Sequence, residues 1–181
     1  MTKLRRVGPL LARDFARFRP SVNYSPLRYI ASACSSPGLM AVLLLRLQML
    51  AVARQQHRFA GALRSLALAL TGADFVPGCS AGAGLVIQHP SGIVFGGGAI
   101  VGEDCTVLQQ VTLGERYADG RGPHNYPTIG DRCTIGAGAK ILGGVAIGSD
   151  VGVGANSVVL DDIPSGNVVV GSPARIVERL K

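Results

Sequence analysis

From Phe95 onward an aliphatic residue returns every six positions, and no other feature of this chain narrows its fold as much. The units FGGGAI, VGEDCT and VLQQVT run from Phe95, and IGDRCT, IGAGAK, ILGGVA, IGSDVG, VGANSV and VLDDIP run from Ile129. Stepping backwards from Phe95 gives HPSGIV, AGLVIQ and PGCSAG. Each unit is long enough for one short strand and a turn. Three units close a triangular coil of about eighteen residues, and stacked coils bury one aliphatic row per side. The step from Leu113 to Ile129 is not a multiple of six, so residues 114–128, GERYADGRGPHNYPT, must loop out.

The rhythm predicts a mainly β fold: a left-handed parallel β-helix of about four coils. Left-handed coiling is the known exception to right-handed crossovers. A small α-helical N-terminal region precedes it and a short C-terminal helix ends it. The expected division is residues 1–70, helical, and 71–181, β-helix with its loop at 114–128. A small residue recurs at the fifth place of each unit, where the coil narrows. Cys105 and Cys133 occupy that slot and are expected to be buried thiols.

Residues 1–70 carry a different period. Apolar residues recur at helical spacing in LLARDFARF, again from Gly38 to about His57, and over Arg58–Leu70. The turn signals Arg19-Pro20-Ser21 and Ser36-Pro37-Gly38 divide these helices. They are apolar on more than one face, so they should pack on each other or on a partner subunit. The window LMAVLLLRLQMLAVA at 39–53 is too short for a membrane span and contains Arg46 and Gln48, which makes it a core helix.

Charge divides the same way. Residues 1–70 hold 11 Lys and Arg against one acid, and residues 71–181 hold 7 against 10. A basic arm suits a solvated helix face or peripheral contact with an anionic surface. Aromatic residues do not interleave with the basic ones, which argues against nucleic acid. Cys34, Cys79, Cys105 and Cys133 show no C-x-x-C spacing, so no zinc or redox motif is expected. Reduced thiols and the lack of a signal-peptide pattern at the N-terminus point to a cytoplasmic protein.

The segments ADFVPG, GLVIQHPSGIV, VTLG, PTIGD, IGAGAKILGG, GANSVV and GSPARIV together resemble the hexapeptide-repeat acyltransferases, and most of all the serine O-acetyltransferase group. The resemblance implies acetyl-CoA as co-substrate, no metal, and a homotrimer with active sites between subunits. It implies that His89 is the general base, that Asp74, fifteen residues upstream, orients it, and that His124 in the loop is the second catalytic histidine. Tyr126 is the other residue that could align there. Coenzyme A would lie along the coils at Gly114, Ala137 and Ala155, with Arg175 near its phosphates. A hydroxyl needs a base to take its proton, and a carboxylate stabilises the imidazolium that results.

The substrate positions depart from that group. Gln88 stands directly before His89 where the serine enzymes carry Asp, and Arg19 stands where their helical region carries another Asp. Pro123 replaces an Arg that meets the substrate carboxylate, with Arg121 and Arg116 near it in sequence. Gln88, Arg19 and Arg121 are therefore the candidate substrate-binding residues. The acceptor is a small-molecule or glycan hydroxyl: serine or a similar compound, with a sugar hydroxyl of an exopolysaccharide or other glycan as the alternative. A zinc enzyme on the same fold would need three converging imidazoles, and the chain has only His57, His89 and His124. A non-catalytic β-helix scaffold is the remaining alternative.

Overall fold

The computed structural model describes residues 7–116 and 125–177. Four helices come first: α1 (Val7–Phe18), α2 (Pro26–Ser35), α3 (Pro37–Ala53) and α4 (His57–Thr71). Short strands follow: β1 (Asp74–Phe75), β2 (Ser80–Ala81), β3 (Val86–Ile87), β4 (Val94–Phe95), β5 (Ile100–Val101), β6 (Thr106–Val107), β7 (Thr112–Gly114), β8 (Thr128–Ile129), β9 (Thr134–Ile135), β10 (Lys140–Leu142), β11 (Ala146–Ile147), β12 (Gly152–Val153), β13 (Val158–Val159), β14 (Val168–Gly171) and β15 (Ala174–Val177). They form three sheets, ordered β1-β4-β7-β10-β13, β2-β5-β8-β11 and β3-β6-β9-β12-β14-β15. Up to β13 every third strand is thus a neighbour; β12 then pairs with β14, because Ile163 makes only an isolated bridge, and all pairings but β14–β15 are parallel. This is a three-sided parallel coil, with four complete turns and most of a fifth.

The coil step explains the core. Val94 pairs with Thr112 and Lys140 with Val158, eighteen residues apart in each case. Side chains two residues apart point inward on each side of the prism: Ala99 and Val101, Cys105 and Val107, Cys133 and Ile135, Ala139 and Ile141 are all buried. The small fifth-place residue and the leading aliphatic residue are these two inward positions. Cys79 occupies the same slot as Cys105 and Cys133, and all three are buried.

The first coil departs from the step. Asp74 pairs with Val94 and Val86 with Thr106, twenty residues on. The inward row there runs Phe75, Ala81, Ile87 and then Phe95. Two extra residues therefore lie in the turn between β3 (Val86–Ile87) and β4 (Val94–Phe95). The expected units HPSGIV, AGLVIQ and PGCSAG are out of phase, and His89 does not take the inward position that Phe95 takes. It lies in the expanded turn and is exposed.

Two further expectations are corrected. Among the described residues the chain does not enter a helix after the last coil. Gly171, at φ +99, lets the chain turn, and β15 (Ala174–Val177) returns antiparallel to β14 (Val168–Gly171). The β-branched runs Val168–Val170 and Ile176–Val177 favour extended backbone there. The helical region also holds a separate helix, α2, whose Ser25 Oγ accepts from the Arg28 backbone N–H with Pro26 at its first position.

The helices share their core with the first coils. α3 buries Leu39, Val42, Leu45 and Met49 and is apolar all round, as a central helix must be. Its two polar intruders are both partnered. Gln48 Nε2 donates to the Phe75 carbonyl at 2.8 Å. Arg46 meets Asp14 of α1 through two bonds of 2.9 Å and donates to the carbonyls of Ala81 and Gly82 at 2.5 and 2.6 Å. Asp14 Oδ1 also accepts from the Leu85 N–H at 2.9 Å. Burial pushes the Asp14 carboxyl up from its ordinary pKa, while Arg46 opposes that shift.

Part of the basic surplus of the helices is used to dock them on the coil. Arg13 bonds Asp104 and Glu103, and Arg17 donates to the carbonyls of Gly84 and Cys105. These residues dock α1 on the coil, so they do not present a free cationic face.

Candidate active site

The turn Gln88–Ile93 is built to project. Gln88 N–H donates to the Val107 carbonyl at 2.9 Å, ending β3 in register. Ile93 N–H returns to the Pro90 carbonyl at 3.1 Å, and Gly92 N–H donates to Gly72 at 2.9 Å. On the next coil Gln110 N–H donates to Ser91 at 3.0 Å. In the unexpanded turns that stack on this one, a single residue has positive φ: Gln110, Gly138 and Asn156. Gly92, at φ +73, takes that place here, where a Cβ would also crowd Gln110 Cγ at 3.2 Å. His89, at φ +53, is a second left-handed residue, introduced by the expansion. Histidine is among the residues enriched in that conformation.

Helix α3 abuts this turn from below. A Cβ on Gly38 would lie 2.2 Å from the Ile87 carbonyl oxygen, so only glycine permits the approach. The result is a cleft of about 400 Å³ between the helices and the turn. Gln88, His89 and Pro90 form one wall, Ser35, Ser36, Pro37 and Gly38 another, and Phe18 and Arg19 close the end of α1. Three sequence candidates, Arg19, Gln88 and His89, therefore meet at one cleft, although Arg19 lies seventy residues from the histidine. Nothing in the sequence marked Phe18 or the Ser35–Ser36 pair as site residues. They come to the site because Phe15, Tyr24 and Tyr29 pack together and fix α1 against α2.

Asp74 opens β1 next to this turn, its N–H bonded to the Ile93 carbonyl at 2.8 Å. Its carboxylate is held by Arg64 of α4, Nε to Oδ1 at 2.5 Å and Nη2 to Oδ2 at 2.8 Å. The Arg64 hydrogen bonds hold the Asp74 pKa below its usual value. No hydrogen bond joins Asp74 to His89 in the single chain, and Arg64 is a partner the sequence did not reveal.

Ala137 and Ala155 fall on the edge of the prism that carries His89. Ala137 precedes Gly138 and Ala155 precedes Asn156, in turns stacked two and three coils beyond. At about 4.8 Å per coil, Ala155 stands roughly 14 Å along this edge from the histidine turn. Small side chains leave the backbone of the edge open to a long, thin ligand.

Other candidates lie elsewhere. Gly114 ends β7 at a different edge of the prism, where Gly143 N–H donates to its carbonyl. The ring of Tyr126 covers Gly96 and Gly98, whose missing Cβ atoms make room for it, and its hydroxyl bonds Glu115. Arg175 is exposed on β15, with an Asp161 carboxylate oxygen 4.0 Å away. His124 and Arg121 lie outside the described residues. Among the described residues no three His, Cys, Asp or Glu side chains group as a metal site would require.

Known proteins share both the pattern and the fold. The bacterial transferase hexapeptide family (six repeats) matches residues 126–161. The serine acetyltransferase of Helicobacter pylori is 41% identical over 146 residues, covering 79% of this chain and 82% of that one. This chain belongs to the serine acetyltransferase family. The Mycobacterium tuberculosis serine acetyltransferase is 43% identical over 141 residues, covering 78% of this chain and 61% of its own length. Among solved structures, the Vibrio cholerae serine acetyltransferase superposes with a TM-score of 0.85 at 30% identity, covering 97% of this chain and 67% of that one. Soybean serine acetyltransferase complexed with serine gives 0.78 at 35% identity, covering 92% and 67%. Family membership places the exposed His89 turn in a chain whose relatives are named for acyl transfer to serine.

Proposed function

We propose that this chain transfers the acetyl group of acetyl-CoA to the hydroxyl of serine, with His89 as general base. The observation that carries this is the expanded turn: it lifts one imidazole out of the coil into a cleft of substrate size. The hydroxyl proton passes to a ring nitrogen of His89. The serine oxygen attacks the thioester carbonyl carbon, the carbon–sulfur bond breaks, and the imidazolium returns the proton to the leaving thiolate. The products are the O-acetyl ester and the free thiol, with no covalent enzyme intermediate. Asp74, fixed beside the turn by Arg64, is the carboxylate that would orient His89. His124 and Arg121 would come from the loop, and the Gly114 N–H would donate to the developing oxyanion.

The co-substrate is acetyl-CoA, lying along the edge of Ala137 and Ala155 with Arg175 toward its phosphates. Because Gly114 and His89 occupy different edges of one chain, a neighbouring subunit would complete the site, which supports a homotrimer of left-handed coils. The helical region, residues 1–70, then serves as the platform that shapes the cleft. No helix among the described residues is long and apolar enough to cross a membrane, and a cytoplasmic setting fits a coenzyme A substrate.

The test is thiol release from acetyl-CoA in the presence of serine. His89→Ala is expected to lower turnover by at least about 100-fold while the assembly stays intact. Turnover within a few-fold of the unaltered chain would remove His89 from the role.

A further inference from the structure

The lining of the His89 cleft says which part of an acceptor it recognises. Its charged side chain, imidazole aside, is the Arg19 guanidinium; the remainder are the hydroxyls of Ser35 and Ser36, the Gln88 amide, and apolar Phe18, Pro37, Ile87 and Pro90. Arg19 is exposed, and its guanidinium has no hydrogen bond or ion pair with any described residue. The contrast with its neighbours is informative. Arg13 and Arg17 on α1, which Arg19 follows, and Arg46 and Arg64 on α3 and α4 are all bonded to carboxylates or carbonyls. Of these arginines, the one without a partner is the one at the cleft. A guanidinium fork matches a carboxylate, which it can grip through two parallel bonds. An ammonium group would meet the same cation across the cleft without a carboxylate among the described lining residues to offset it.

We propose that Arg19 makes this enzyme select acceptors by their carboxylate and leaves the α-ammonium unrecognised, so that its substrates are small hydroxy acids, with serine as one of the class. The proposal rests on the acyl-transfer function assigned to His89. The carboxylate binds Arg19, the hydroxyl faces His89, and the substituent on the carbon between them is free to be an amine or a hydroxyl. Gln88, which can donate or accept, tolerates either.

The experiment compares three acceptors with the full chain: serine, glycerate (serine with hydroxyl in place of the ammonium) and ethanolamine (serine without its carboxylate). Thiol release gives kcat/KM for each, and calorimetry gives the affinity of each. Glycerate is expected within about tenfold of serine, and ethanolamine at least about 100-fold below both, since an unmatched polar site discriminates strongly. Arg19→Gln should raise KM for serine and glycerate together by about tenfold or more and should not raise it for ethanolamine. Glycerate more than about 100-fold poorer than serine, or an Arg19→Gln enzyme with unaltered KM for serine, would overturn the proposal. Absence of thiol release with all three would instead refute the acyl-transfer assignment, and the calorimetric order of binding would still decide whether Arg19 recognises the carboxylate.

Discussion

Arg46 and Asp14 form an ion pair with no solvent exposure at either side chain, and the pair joins α1, α3 and the first coil at one point. All five N–H groups of the guanidinium are used: four by two carboxylate oxygens and two backbone carbonyls, and the fifth by Met49 Sδ at 3.7 Å. Removing one partner would leave the other as an uncompensated buried charge. Arg46→Met is therefore expected to destabilise the fold by about 3–5 kcal/mol. The double variant Arg46→Met with Asp14→Leu should recover much of that loss, because no charge is then stranded. Denaturant unfolding of both variants checks the pair of outcomes.

Gly38 is the second joint. With the Ile87 carbonyl 2.2 Å from where a Cβ would stand, Gly38→Ala must push α3 away from the histidine turn. Overpacking of this kind costs about 1–3 kcal/mol. The shift would also open the cleft beside His89, so a lowered melting temperature should be accompanied by a raised KM for the acceptor. Gly61, inside α4 with open space at its Cβ position, is the control: Gly61→Ala should raise the melting temperature slightly through helix propensity and leave KM unchanged.

How the sequence carried these features differs from one to the next. The hexapeptide rhythm is local, so the coil, its two inward rows and the burial of Cys105 and Cys133 could be read from spacing alone. The phase of the first coil could not. HPSGIV imitates a repeat unit, and only strand pairing shows two extra residues in the turn. That same expansion is what makes His89 available for chemistry. Arg46 was readable as a core-helix residue but not as an ion pair, since Asp14 is thirty-two positions away on another helix. Arg64 was hidden for a similar reason: nothing in its own segment marks it as the partner of Asp74. Arg19 and Gln88 were singled out by resemblance, yet that they share a cleft depends on aromatic packing between α1 and α2.

The Arg64–Asp74 pair gives a pH signature. Its folded-state pKa is depressed, chiefly by the Arg64 hydrogen bonds. An unfolded Asp titrates near pH 3.9, so below that value the unfolded chain binds the proton first. The pair's contribution is complete above about pH 4 and is lost as pH falls through the lower folded value. Arg64→Gln should flatten this dependence and lower stability at neutral pH by about 1 kcal/mol or less, because both side chains are partly exposed. Unfolding curves at neutral pH and at about pH 3 for both proteins decide the matter. An unchanged slope would mean that the pair does not persist in solution.

The cysteines should separate cleanly in reactivity. Cys34 on α2 is exposed, whereas Cys79, Cys105 and Cys133 line the interior of the coil. Burial pushes the Cys79 thiol up to about 12. Cys79 therefore forms little of the reactive thiolate, and for all three buried cysteines the closed coil denies a reagent access to the sulfur. A thiol reagent should modify Cys34 in the native protein and the other three only on unfolding. Cys34→Ser should abolish the fast phase.

Substitution on the prism edge separates binding of the two substrates. Ala155 is exposed in its turn, so a large side chain there has room to point outward and little effect on folding is expected. It would, however, stand across the edge that runs from the histidine turn toward Arg175. If the pantetheine arm of acetyl-CoA follows that edge, Ala155→Trp should raise KM for acetyl-CoA by about tenfold or more. KM for the acceptor should hold, because the His89 cleft lies three coils away. Saturating acetyl-CoA should restore most of kcat, since the reacting groups are untouched. Initial rates across a grid of both substrate concentrations make the distinction. A raised acceptor KM with unaltered acetyl-CoA KM would place the coenzyme on another edge of the coil.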